Sequence, residues 1–272
     1  MQSAAKAPNT PKNIDQTPIA WREMGQGEAV IFLHAMVTSR TGWEPQMTAL
    51  SMDFRCIAWD MPGFGLSTPP ENNAGFDEVL DALVAFLTGA LGVERAHFVG
   101  LSVGGMILQQ FAAKHPKLVS SITLMDCSPK FGFGSGMTGD EFETLLGGQL
   151  DNTPLPQFCE SMIRAIVGPQ APEAAIQVAH GSMTRASREG LEYAVRLIAR
   201  HDALDQLPLI ACPVLVMAGA EDGETPPAYA REIAKRIPGA NLSIIPNAGH
   251  IANLEAAEAV TERLRVFLTH GL

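Results

Sequence analysis

The sequence predicts an α/β protein: a mostly parallel, twisted sheet flanked by helices, with an inserted helical cap. Three observations predict it. Short apolar runs alternate with helical patterns along most of the chain, and that alternation builds a parallel sheet through right-handed crossovers. One interval, 129–207, breaks the rhythm, because it holds helical patterns and no strand-like run. Finally, Gly100-Leu101-Ser102-Val103-Gly104 joins an apolar run to a helical stretch, which places a serine on a strand-to-helix turn at the carboxyl edge of the sheet.

In chain order, residues 1–15 are polar, carry Lys6 and Lys12, and lack the apolar stretch of a signal peptide, so they read as a flexible tail. Strands are expected at Ile19–Glu23, Ala29–His34 and Phe54–Asp60, where apolar and β-branched residues run without helical spacing. Phe76–Leu91 reads as a helix, with Val79, Leu80, Leu83, Val84, Phe86 and Leu87 on one face. A strand at Ala96–Leu101, a helix at Gly105–Lys114 and a strand at Val119–Asp126 follow. The insertion opens on Phe131-Gly-Phe-Gly-Ser-Gly136. That segment is a flexible loop and not a phosphate cradle, since neither the lysine nor the strand-to-helix context of a P-loop follows it. Helical patterns then cover Leu155–Val167, Pro172–Met183 and Arg188–Ile198. The alternation resumes with a strand at Val214–Gly219, a helix at Pro227–Arg236, a strand at Leu242–Pro246 and a helix at Glu255–Leu268. The expected division is a tail at 1–15, a core at 16–128 and 208–272, and a cap at 129–207.

Bulk composition narrows the function. A chain of 272 residues that is 46% hydrophobic can bury one large core, so one domain with an insertion is expected. A net charge of −10 without any basic stripe excludes nucleic acid as a partner. No apolar run reaches transmembrane length, so the expectation is a cytoplasmic protein with no membrane partner that acts on a small-molecule substrate; a homo-oligomer is left open. Cys56, Cys127, Cys159 and Cys212 are far apart, with no C-x-x-C pair and no histidine at zinc-ligand spacing. Free thiols and no metal site are expected.

The serine turn carries the chemistry. A neutral hydroxyl is a poor nucleophile, so Ser102 needs a base to take its proton and a third group to orient that base. Val214–Asp222 is a strand followed by a loop bearing Glu221, Asp222 and, just beyond, Glu224. Ile244–His250 is a strand followed by a histidine ahead of the last helix. Asp126, which closes the strand after the serine helix, is a further acid. His97, His115, His180, His201 and His270 lie at strand starts, at helix ends or in the cap, and read as solvated or hydrogen-bonded. His34 differs, because it ends the strand that begins at Ala29.

With the order serine, acid, histidine in place, the chain resembles the α/β-hydrolases. It is most similar to the small capped serine hydrolases that include 3-oxoadipate enol-lactonases, cofactor-free haloperoxidase/esterases and meta-cleavage-product hydrolases. The resemblance spans nearly the whole chain after the tail. Besides the serine turn it rests on Asp60-Met-Pro-Gly-Phe-Gly-Leu-Ser67, Ala218-Gly-Ala-Glu-Asp-Gly-Glu-Thr-Pro-Pro227 and Pro246-Asn-Ala-Gly-His250. It implies that Ser102 is the nucleophile, His250 the base and Asp222 the acid, by the Gly-x-x-Asp spacing from Gly219, with Asp126 the alternative acid. It also implies an oxyanion hole made by the amides of Met36 and Val103, although the family writes His-Gly where this chain has His34-Ala35. His34 reads first as structural; His34, Phe142, Met162 and Ile251 are the substrate-binding candidates. Met137, Phe158, Ile166, Met183 and Tyr193 either line the pocket or pack the cap. No metal or organic cofactor is implied, and the Asp60–Ser67 turn is given no chemistry. The expected reaction is cleavage of a small carboxylic ester or lactone through an acyl-enzyme. Hydrolysis of a carbon–carbon bond in ring-cleavage products, peroxyacid formation and a non-catalytic ligand receptor are the alternatives.

Overall fold

Seven strands form one sheet in the computed structural model, which describes residues 18–71 and 74–271. They are β1 (Trp21–Met24), β2 (Ala29–Leu33), β3 (Arg55–Trp59), β4 (Ala96–Leu101), β5 (Val119–Met125), β6 (Val214–Gly219) and β7 (Asn241–Ile245). Their spatial order is β1-β3-β2-β4-β5-β6-β7, with β1 antiparallel to β3 and every other pair parallel. This is the mostly parallel α/β architecture that the sequence predicts. The tail expected at 1–15 lies outside the described residues.

Burial explains the sequence pattern strand by strand. β2 and β6 are buried at every position and β4 and β5 at all but one, as strands covered by helices on both faces must be, so they read as continuous apolar runs. β7 at the sheet edge is exposed over its first two residues. Trp43, Trp59, Phe32, Phe98 and Phe111 are fully buried, and each such side chain contributes about 1.5–3 kcal/mol relative to exposure.

The helices are α1 (Glu44–Leu50), α2 (Phe76–Ala85), α3 (Val103–Lys114), α4 (Gly139–Asn152), α5 (Leu155–Ile166), α6 (Glu173–Met183), α7 (Arg188–Ala199), α8 (Pro227–Arg236), α9 (Ala252–Glu255) and α10 (Ala257–His270). Three of them differ from the sequence expectation. α1 and α4 were not foreseen, yet each has a start signal: Pro45 in the first turn of α1, and a capping box at α4. In that box the Thr138 hydroxyl accepts from the Glu141 N–H and the Glu141 carboxylate accepts from the Thr138 N–H. The last predicted helix, Glu255–Leu268, begins instead at Ala257, because Ala256, with a φ of −130° and ψ of 52°, ends the short α9 and restarts the chain as α10.

Helices α4 to α7 lie between β5 and β6 in sequence, and three of the contacts that fasten them to the rest of the chain involve the segments around β3. Thr41 Oγ1 lies 2.8 Å from Ser182 Oγ on α6. The Tyr193 hydroxyl on α7 donates to the Gly75 carbonyl at 3.1 Å. The third contact is backbone on backbone: a Cβ on Gly63 would lie 2.3 Å from Gly190 Cα, and one on Gly190 would lie 2.3 Å from the Gly63 carbonyl oxygen. The turn carrying Gly63 is itself tied down, because Asp60 accepts from the Leu66 N–H and pairs with Arg40, while the Ser67 hydroxyl donates to the Asp60 carbonyl.

None of the four cysteines is disulfide-bonded; Cys56, Cys127 and Cys159 are buried and Cys212 is partly exposed. Among the described residues no helix is long and apolar enough to cross a membrane.

Candidate active site

Ser102 sits between β4 and α3 with φ 54° and ψ −120°, a backbone conformation that side-chain-bearing residues rarely adopt. The two glycines around it make the turn possible. A Cβ on Gly100 would lie 2.6 Å from the backbone of Gly104, and one on Gly104 would lie 2.4 Å from the Leu33 carbonyl oxygen of β2. Strand and helix therefore approach more closely than any other residue allows. The strained conformation is held by the Ser102 N–H, which donates to the Met125 carbonyl at 2.9 Å.

Side chains from three strand ends meet at this turn. His250 Nε2 lies 2.9 Å from Ser102 Oγ, and His250 Nδ1 lies 3.0 Å from Asp222 Oδ2. Asp222 also accepts from the backbone N–H groups of Glu224 and Thr225, each at 2.9 Å, and from the Thr225 hydroxyl at 2.7 Å. A carboxylate with that many donors is held ionised, so the proton on His250 resides at Nδ1 and Nε2 is free to accept from Ser102. Burial opposes both charges. For Asp222 the opposing pull of His250 and of the hydrogen bonds wins, and its pKa lies below the usual carboxylate value. For His250 the adjacent Asp222 likewise outweighs burial and raises the pKa above that of an ordinary histidine.

Asp126, the rival acid, does not touch His250. Its carboxylate accepts from the Gly219 N–H at 2.7 Å and the Ala252 N–H at 3.3 Å, bracing the two loops that carry Asp222 and His250. Burial, and then the charge of Asp222, push its pKa well above the carboxylate range.

The loop that presents His250 is clamped from below. The buried Glu255 carboxylate accepts from the N–H groups of Gly249 at 2.9 Å and Ile251 at 3.1 Å, on either side of the histidine, and from Gly168 beyond α5 at 2.8 Å. Sequence reading assigned Glu255 only to the start of a helix; its inward turn follows from the break at Ala256.

Opposite Ser102 lies the loop after β2. The Met36 N–H and the Val103 N–H have no acceptor among the described residues. Ala35, where the resembled family has glycine, is not in the left-handed region, so its Cβ is accommodated. The loop is held instead by side chains: the Ala35 N–H donates to Thr38 Oγ1 at 3.2 Å, and His34 bonds through both ring nitrogens, Nδ1 to the Ala35 carbonyl and Nε2 to the Met61 N–H. Burial lowers the pKa of His34, which keeps it neutral.

A cavity of about 180 Å³ opens over Ser102 and His250. Met36, Val37 and Met106 wall it from the sheet side, and Phe142, Leu146, Met162, Ile166 and Ile198 from α4, α5 and α7, with Glu224 and Thr225 alongside. Phe142 and Met162, two of the substrate-binding candidates, line this cavity, as does Ile166. His34 and Ile251, the other two candidates, do not line this cavity: the His34 ring bonds within its own loop and to Met61, and Ile251 is fully buried. Phe158, Met183 and Tyr193 are buried, whereas Met137 is 43% exposed and faces away from any core. Leu146, Ile198 and Glu224 were missed as lining residues. Leu146 belongs to the unforeseen α4, and Glu224 was weighed only as a rival acid. A larger groove of about 730 Å³ between Pro62, Pro69, Phe86 and Tyr193 has no serine, cysteine or histidine among its described lining residues. No cluster of three or more histidine, cysteine or acidic side chains able to hold a metal occurs among the described residues.

Comparison with known proteins places this geometry in context. The family described as alpha/beta hydrolase fold matches residues 28–257. The chain is 27% identical over 261 residues to the dihydrolipoyllysine-residue acetyltransferase component of the acetoin cleaving system of Pseudomonas putida, covering 92% of this chain and 66% of that protein. It is 26% identical over 237 residues to 3-oxoadipate enol-lactonase 2 of Acinetobacter baylyi, covering 85% of each. A thermophilic esterase from Thermogutta terrifontis superposes with a TM-score of 0.85 at 27% identity, covering 98% of this chain and 99% of that one.

Proposed function

The chain belongs to the alpha/beta hydrolase fold family and is an enzyme of it, and from that premise we propose that it cleaves a small carboxylic ester or lactone through an acyl-enzyme on Ser102. The observation that carries this reading is the unbroken row from Ser102 Oγ through His250 to Asp222, with bonds of 2.9 and 3.0 Å. Ester cleavage asks for nothing beyond that row, two amide donors and a cavity.

In the first half-reaction Ser102 Oγ attacks the substrate carbonyl carbon while His250 Nε2 takes the hydroxyl proton. Negative charge gathers on the carbonyl oxygen, where the unpaired N–H groups of Met36 and Val103 receive it. As the carbonyl re-forms, the bond to the alcohol oxygen breaks and His250 returns its proton to that oxygen, leaving the acyl group on Ser102. In the second half-reaction water loses a proton to His250 and attacks the acyl carbon; the bond to Ser102 Oγ breaks as His250 returns that proton to Oγ, and the acid leaves. Asp222 orients the imidazole and stabilises its charged form throughout.

The test is hydrolysis of 4-nitrophenyl butanoate by the wild type and by Ser102→Ala. Turnover that falls by about 10⁴-fold or more is expected; an unimpaired Ser102→Ala enzyme would overturn the proposal.

A further inference from the structure

We propose that the cavity is selective by charge: it takes compact uncharged acyl groups and rejects those that carry a carboxylate. This rests on the serine-hydrolase reading above and specifies its substrate class.

The cavity, at about 180 Å³, is well below the roughly 300–1,000 Å³ typical of pockets for drug-sized ligands, so a compact acyl group fills it from end to end. Its wall contains no arginine and no lysine. The polar groups it does contain are engaged: the Thr225 hydroxyl donates to Asp222, His250 bridges Asp222 and Ser102, and the Met36 and Val103 amides face the reacting carbonyl. A carboxylate on the acyl chain would therefore lose its water without gaining a donor, which is strongly unfavourable.

The one remaining ionisable side chain sharpens the selection. Glu224 lines the cavity beside Thr225, and its carboxylate forms no ion pair among the described residues. Its backbone is fixed by its own N–H, which donates to Asp222 at 2.9 Å, and the residue is exposed, so its carboxylate stands at the solvent side of the cavity. An anionic substrate thus meets a like charge at the wall, and an uncharged one does not.

The matched pair methyl pentanoate and monomethyl glutarate tests this, because they differ only in a terminal methyl against a terminal carboxylate. Hydrolysis is followed by titrating the released acid, and both compounds are also measured as competitive inhibitors of 4-nitrophenyl butanoate turnover. That way a slow methyl ester still reports its binding. The expected kcat/KM, or inhibitory affinity, favours methyl pentanoate by on the order of 100-fold. Comparable values for the pair overturn the charge selection and leave the serine-hydrolase reading intact. Absence of turnover on all three esters overturns both. In Glu224→Lys the ratio is expected to shift toward the glutarate ester by about threefold or more, the scale of a solvent-screened charge reversed, and in Glu224→Gln to shift the same way by less. A ratio unchanged in both variants, each shown to be folded by circular dichroism, overturns the role of Glu224.

Discussion

The backbone N–H of His250 donates to the carbonyl of Ile166 at 3.0 Å, so the histidine loop is bonded directly to the end of α5, one of the helices that cover the cavity. Glu255 completes the joint by gathering the N–H groups of Gly168, Gly249 and Ile251 on one buried carboxylate. Glu255→Ala leaves those donors unsatisfied and is expected to lower stability by about 3 kcal/mol. Loosening of the imidazole should cost about 100-fold in kcat, with KM moving less. Urea unfolding and steady-state kinetics measure the two effects; an unchanged unfolding midpoint would refute the first.

Ser102 pays a conformational penalty for its position, and glycine would not. Ser102→Gly is therefore expected to abolish hydrolysis while raising stability by about 1 kcal/mol, because the φ of 54° costs a side-chain-bearing residue more than it costs glycine. A urea midpoint at or below that of the wild type would contradict the strain.

The pH profile follows from Asp222 and His250. In the proposed mechanism His250 acts as the base, which it can do only when neutral, and Asp222 raises its pKa against the pull of burial. Activity should therefore rise with pH along an acid limb centred above the ordinary histidine value of about 6.5. In Asp222→Asn burial is no longer opposed by that charge, so the limb moves to lower pH while kcat falls by about 10⁴-fold. A limb that stays in place in this variant would show that a different group titrates.

Gly190 lets α7 meet the turn at Gly63, and a methyl there would strike the Gly63 carbonyl oxygen at 2.3 Å. Gly190→Ala should destabilise the protein by about 1–3 kcal/mol and raise KM, because α7 carries Ile198 into the cavity. Gly181→Ala is the contrasting case: nothing lies within 4 Å of its added Cβ in α6, and helix propensity predicts a gain of about 0.5–1 kcal/mol. Thermal or urea melts of the two variants should move in opposite directions.

What could be read from the residues follows the range of the forces involved. The alternation of β2, β4, β5 and β6 with helices is written in local apolar patterning, and Ser102, Asp222 and His250 fall at strand ends that the same patterning locates. α4 was hidden because Gly147 and Gly148 interrupt its apolar face, so its capping box stood without the usual periodicity. The fate of His34 depended on Met61, 27 residues away, and no local pattern encodes that bond. Glu255 was opaque for the same reason: its partners come from the histidine loop and from beyond α5, 87 residues earlier at Gly168.

Ser102 and His250 are separated by 148 residues, with α4 to α7 and the whole of β6 and β7 between them. A chain emerging from the ribosome thus completes the serine turn and the strand beneath it long before its base exists. Until the final quarter has docked, the hydroxyl is chemically inert, and the nascent enzyme cannot attack esters or its own neighbours. During refolding, hydrolysis can begin only once these segments have docked, so the gain of activity reports that the C-terminal strands are in place.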